Sequence, residues 1–238
     1  MPHMSLVLAC SAIALSSLPS AVIAQDAPII PEPMVFDMVR PLGAKRGELE
    51  ANTLAERNLS GAHRAVEWAP EVEYAIVDGF AVEAELPFDG ARLTDYKLGL
   101  QGTFGTFSGG RAIHGVQYLG LYNRASTRWE STLVYVLGYR FDERLSTMMM
   151  AGVGDVTFGG SDQTSLIVNH STFYDLSADT VLGLEVNFKR GGEHRTLVMP
   201  QLHQDLTTQL SLQAGVGAVR EEHEPWRPRA AVRLIKEF

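Results

Sequence analysis

The chain has 238 residues, 20 Lys+Arg against 28 Asp+Glu, a formal net charge of -8 and one cysteine, which on length alone is one domain with room for a short extension. With 45% apolar and 20% charged residues it is too apolar for intrinsic disorder and too interrupted by charge for a bundle of membrane helices. The acidic balance, without any run of Lys or Arg, excludes nucleic acid as a partner, because neutralising phosphates needs a basic stripe.

Residues 1–24 contain no Asp, Glu, Lys or Arg, carry an apolar stretch over 6–18 and end in Val22, Ile23 and Ala24 before Gln25. This is the pattern of a cleaved signal peptide, and the stretch is shorter than the roughly 20 apolar residues of a spanning helix. Cys10 belongs to that leader, so the exported remainder has no cysteine and keeps the whole charge of -8. An exported chain without disulfides needs another source of stability, and a closed sheet is one.

Residues 25–45 hold Pro28, Pro31, Pro33 and Pro41 and show neither a 2- nor a 3.6-residue period. They read as a Pro-rich periplasmic N-terminal tail. From residue 46 to 238 the pattern changes to period-2 alternation, with turn signals every 15 to 20 residues. In the unit over 71–86, Val72, Tyr74 and Ile76, then Phe80, Val82, Ala84 and Leu86, lie on one face, with Glu71, Glu73, Glu83 and Glu85 opposite. The two faces match through a three-residue turn, Val77, Asp78 and Gly79, with Gly79 left-handed. That register sets Tyr74 against Val82, Glu73 against Glu83 and Glu71 against Glu85. Like charges directly opposite are unfavourable unless water or cations counter them.

The same two-faced alternation returns at Tyr96, Leu98 and Leu100, at Leu182, Leu184, Val186 and Phe188, and at Leu210, Leu212, Ala214 and Val216. A soluble barrel turns the apolar set inward and a membrane barrel turns it outward to lipid. About twelve runs are counted, near 46–55, 64–76, 79–89, 93–106, 111–122, 128–141, 144–155, 163–174, 180–190, 194–204, 206–219 and 228–238; ten is the alternative. An even count, tight turns at Asp78 with Gly79, Asp142 with Glu143 and Gln204 with Asp205, and longer polar connections over 58–64, 156–163 and 221–227 fit a single-chain outer-membrane barrel. The last strand alternates through Ala230, Val232, Leu234 and Lys236 to a terminal Phe238, which resembles the signal read by the barrel assembly machinery, with Lys236 departing from the apolar residue usual there.

The segments EVEYAIVDGFAVEAELPF (71–88), YKLGLQGTFG (96–105), YDLSADTVLGLEVNF (174–188) and QLHQDLTTQLSLQAGVG (201–217) resemble the small transporter-like outer-membrane barrels of Gram-negative bacteria grouped as the meta-pathway of phenol degradation family. The motifs are strand, Asp-Leu-Ser or Asp-Leu-Thr turn, strand. The resemblance implies an all-β, transmembrane, antiparallel up-and-down barrel in outer-membrane lipid, a channel for small apolar or aromatic solutes, and no catalytic residues.

Enzyme chemistry finds little support. The seven histidines never fall in a metal-ligand spacing such as H-x-x-x-H, and no cofactor or metal site is expected. His170 and Ser171 are the residue types of a barrel hydrolase, but adjacent strand residues point to opposite faces. The candidate site is a lumen strip of Glu71, Glu73, Glu83 and Glu85, with Lys97, Lys189, Arg229 and Arg233 as partners. It reads either as a hydrated wall of paired charges or as a strip favouring cations. The functional readings are a passive solute channel, whose lumen is either open or plugged by side chains or by the tail over 25–45, a non-conducting barrel that binds a partner through its loops and tail, and a barrel hydrolase or soluble ligand-binding barrel.

Overall fold

In the computed structural model, residues 27–157, 164–192 and 194–238 are described; the expected signal peptide over 1–24 lies outside them. The fourteen strands of the described residues are β1 (Leu49–Asn58), β2 (Glu67–Val77), β3 (Phe80–Glu85), β4 (Phe88–Asp89), β5 (Arg92–Leu93), β6 (Asp95–Phe107), β7 (Ala112–Asn123), β8 (Arg128–Arg140), β9 (Leu145–Val156), β10 (Ser165–Asp175), β11 (Thr180–Arg190), β12 (Arg195–Thr207), β13 (Leu210–Glu221) and β14 (Arg227–Glu237). Each long strand pairs antiparallel with its sequence neighbours, and β1 pairs with both β2 and β14, which closes a twelve-strand barrel. β4 and β5 form a short hairpin beside β2. It replaces the outer part of the run expected over 79–89, where Pro87 cannot donate to a ladder and Gly90 turns the chain.

The first hairpin has the expected register, with Tyr74 opposite Val82, Glu73 opposite Glu83 and Glu71 opposite Glu85. Its turn is shorter than three residues: Asp78 and Gly79 connect the strands, Gly79 is left-handed (φ 74°), and an irregularity between Ala75 and Val77 supplies the odd residue. The turn expected at Gln204 and Asp205 falls later, because β12 runs on to Thr207. Connections at the end that holds the chain's C-terminus are two to four residues long, and most at the opposite end are longer, although 124–127 and 191–194 are four residues each.

The alternation resolves with the apolar set outward. Val72, Tyr74, Leu98, Leu100, Leu133, Leu182, Leu184, Val232 and Leu234 are exposed around the whole wall, whereas Glu71, Glu73, Glu83, Glu85, Gln101, Gln117, Asn169, Glu185 and Arg233 are buried inside. A continuous exposed apolar belt is untenable in water and is the surface a membrane barrel shows to lipid. A soluble ligand-binding barrel, which needs the opposite arrangement, is therefore excluded. At one rim Tyr96, Tyr122 and Trp129 stand in one row on three neighbouring strands. Trp129 lies over Gly120, where an added Cβ would come 2.2 Å from the indole, so the glycine is what lets the ring lie flat on the wall.

Of the two expectations for the Pro-rich tail, a free periplasmic extension and a plug of the lumen, the structure has the second. Residues 27–48 enter the barrel at the short-turn end, rise to an apex at Met34, Val35 and Phe36, and return to the same end before β1. Arg140 Nε donates to the Ile29 carbonyl at 2.7 Å on the way in, and Gly79 N donates to the Ala44 carbonyl at 2.8 Å on the way out. Met34, Met38 and Val39 are wholly buried, and the core clusters of the molecule form between this segment and the inner wall, for example Ile30, Met38 and Leu42 with Ile113, Val134, Met148 and Phe173. Proline explains why the segment stays out of the ladders: it lacks the N–H that strand pairing needs.

Candidate functional site

Among the described residues the lumen is the only large interior surface, and its wall is made by the inward-facing residues of the strands. On β1, β2, β3, β6 and β14 these residues are charged and paired. Arg233 reaches Glu71 at 2.9 Å, Glu73 at 3.3 Å and Glu32 of the inserted segment at 3.6 Å, and its Nε donates to Asn52 at 3.1 Å. Lys97 donates to Glu85 and to Asp37 of the segment, and stands 3.1 Å from Glu83. Arg229 binds Glu56 at 2.9 Å, Asn58 at 2.9 Å and Glu67. Seven of the eight expected residues thus lie on one side of the lumen. Lys189 does not join them: it lies near the far end of β11 and pairs with Asp155 at 2.9 Å. Phe238 is exposed beyond β14, its N–H bonded to the Leu49 carbonyl at 3.0 Å.

Carboxylate oxygens of Asp37, Glu71, Glu83 and Glu85 all lie within 4.8 Å of one another, close enough to surround a cation. The Lys97 ammonium already sits among them, so the positive charge this cluster needs comes from the chain itself. The quartet is countered in the same way, with Arg233 and Arg40 on Glu71 and Glu73 and Lys97 on Glu83 and Glu85.

Residues the sequence did not single out hold the inserted segment. Glu185 on β11 accepts the backbone N–H groups of Met34 and Val35 at 3.0 Å each and of Phe36 at 2.6 Å, so one carboxylate grips the apex through three charge-assisted bonds. Gln117 accepts from Val39 N at 3.1 Å and donates to the Asp37 carbonyl at 2.7 Å. Gln101 donates to the Arg40 carbonyl, Thr103 accepts from Gly43 N at 2.9 Å, and Arg40 binds Glu50 and Glu48 at 2.5 and 3.1 Å. Inward glycines make the room: a Cβ on Gly99, Gly115, Gly138 or Gly215 would come within 2.8 Å of Val39, Leu42, Ile30 or Met34 respectively. Such a glycine in a strand marks a close approach by another part of the chain, and that was the readable signal.

Above the apex the lumen opens into two cavities. One, of about 190 Å³, faces the charged wall around Glu56, Glu67 and Glu71. The other, of about 210 Å³, lies between β7, β8, β10, β11 and β12 and has a largely apolar lining. His170 and Ser171 are separated as their adjacency requires: Ser171 is buried in the lumen, and His170 is exposed outside with its ring 3.2 Å from Thr172 Oγ1.

No family model matches the sequence, and no curated protein matches it. Solved structures do. The KdgM porin superposes with a TM-score of 0.63 at 10% identity over 79% of this chain and 99% of its own. The NanC porin gives 0.63 at 10% identity over 80% and 100%. The COG4313 outer membrane channel from Pseudomonas putida F1 gives 0.61 at 14% identity over 88% and 100%. The fold is that of an outer-membrane channel barrel. At these identities the likeness carries the fold alone, while solute and regulation have to come from the residues in the lumen.

Proposed function

We propose that the protein is a passive channel of the outer membrane for small solutes, closed in the state described here by its own residues 27–48. The observation that carries this reading is the combination of a lipid-facing barrel with a lumen filled by a segment that is bonded to the wall yet belongs to no ladder. Short turns and the chain terminus face the periplasm in barrels of this kind, so the segment enters from the periplasmic side and the two cavities face outward. The resemblance to the phenol meta-pathway family supports apolar or aromatic solutes. The KdgM porin, which shares the fold, has been solved in complex with disordered oligogalacturonate, and this supports passage of small molecules in this architecture. Lipid and the barrel assembly machinery are the further partners of this reading, with Phe238 as the assembly signal.

The test is solute flux into liposomes for wild type and Glu185→Ala. The substitution removes three bonds to the apex and is expected to raise flux severalfold over wild type. The filled lumen favours one second reading, a barrel that conducts nothing and binds a partner. Absence of flux from correctly inserted wild type, from Glu185→Ala and from a chain lacking 27–45 selects it. The glutamate strip is tested separately: replacing Glu71, Glu73, Glu83 and Glu85 by Gln is expected to weaken cation preference in planar bilayers, and unchanged ion preference removes the strip from the mechanism.

A further inference from the structure

The cavity between β7 and β12 differs in kind from the one on the charged side. Its floor is Phe36 of the inserted segment, and its walls are Leu119, Ile167 and Leu197, all inward residues of their strands. Arg195 stands at its outer edge as the first residue of β12, on the same inward face as Leu197 and Met199.

The charges around Arg195 are committed elsewhere. Its cross-strand neighbour Glu221 lies 3.9 Å from Arg227, and Asp155 lies 2.9 Å from Lys189. Asp37, the one carboxylate lining the cavity, bonds to Lys97. Arg195 makes no ion pair with the described residues, and its Nε is buried without a hydrogen-bond partner. A guanidinium stays charged at any accessible pH and offers paired donors that match a carboxylate. A buried donor left unpaired costs free energy that an acceptor recovers.

We propose that this cavity binds a small amphipathic anion, a one-ring aromatic carboxylate, with the carboxylate on Arg195 and the ring against Phe36, Leu119, Ile167 and Leu197. A volume of about 210 Å³ is below the roughly 300 Å³ at which pockets for larger organic ligands begin, which limits the occupant to one ring. Cations are disfavoured by Arg195, and neutral rings forgo the paired bond. The site deepens the channel reading and rests on it only in that the bound anion is the solute in transit.

The experiment is titration of the purified, detergent-folded full chain with benzoate, benzyl alcohol and benzylamine at low salt, followed by the tryptophan fluorescence or by calorimetry. Benzoate is expected to bind roughly tenfold more tightly than benzyl alcohol, with benzylamine weakest. Arg195→Gln is expected to bring benzoate down to the level of benzyl alcohol, and Leu119→Trp, which fills the recess, to abolish both. Equal binding of benzoate and benzyl alcohol by wild type overturns the proposal and needs no variant; so does benzoate binding that Arg195→Gln leaves unchanged. Liposome flux is read independently. Selective binding without flux of any solute keeps the site and removes the channel, whereas flux without benzoate selectivity keeps the channel and removes the site.

Discussion

Arg233 is the residue on which the charged side of the lumen depends. It is 1% exposed and serves Glu71, Glu73, Glu32 and Asn52 at once, which joins β1, β2, β14 and the inserted segment through one side chain. Taking such a group away leaves carboxylates buried without a counter-charge, a loss of about 3–5 kcal/mol. Arg233→Met is therefore expected to lower the temperature at which the compact, unheated gel band converts to the unfolded one. Lys189→Met, which touches a half-exposed pair at the rim, is expected to change it little. Lys236 is a residue where the sequence departs from its own pattern. Its ammonium stands 5.6 Å from the Phe238 ring and bonds Gln209 at 3.1 Å, so an outward lysine is held at the water-facing edge of the last strand rather than in the apolar belt.

At the scale of elements, the twelve barrel strands were legible because a wall with lipid on one side and a filled lumen on the other forces a strict two-residue period. The register of the first hairpin followed from matching its apolar faces, and the glutamates were legible as inward for the same reason. The inserted segment was legible only as an aperiodic tail able to plug the lumen, without its path or its contacts. It has no period of its own, since its backbone bonds go to single side chains such as Glu185, Gln117 and Thr103 that lie 60 to 151 positions away. What advertised it was on the wall: glycines at inward positions of β6, β7, β8 and β13, where a filled barrel interior would otherwise want bulk. Gly99→Leu is expected to push Val39 off the wall and to raise single-channel conductance. Gly102→Ala, where an added Cβ meets open space, is expected to leave conductance at the wild-type value.

For the whole molecule, the described residues hold no cysteine and so no disulfide, and closure of the barrel through β1 and β14 removes every long free edge. The lack of cysteine makes a covalent test clean. In Val39→Cys with Gly99→Cys the two side chains meet, since a Cβ on residue 99 would stand 2.5 Å from Val39 Cγ2, within reach of a disulfide. The oxidised protein is expected to pass no current and to regain wild-type conductance on reduction; current through the oxidised form would show that solutes bypass the segment. The path of that segment has one more consequence. Both of its limbs leave the lumen at the same end, so it forms a loop pushed into a tube, and a loop can be withdrawn only by the way it came. A solute pressing on the apex from outside and a pull on the N-terminus from within act in one direction, whereas pressure from the periplasmic side seats the loop more firmly. In the channel proposed above, the loop acts as a one-way stopper whose resistance to opening depends on the side from which it is pushed.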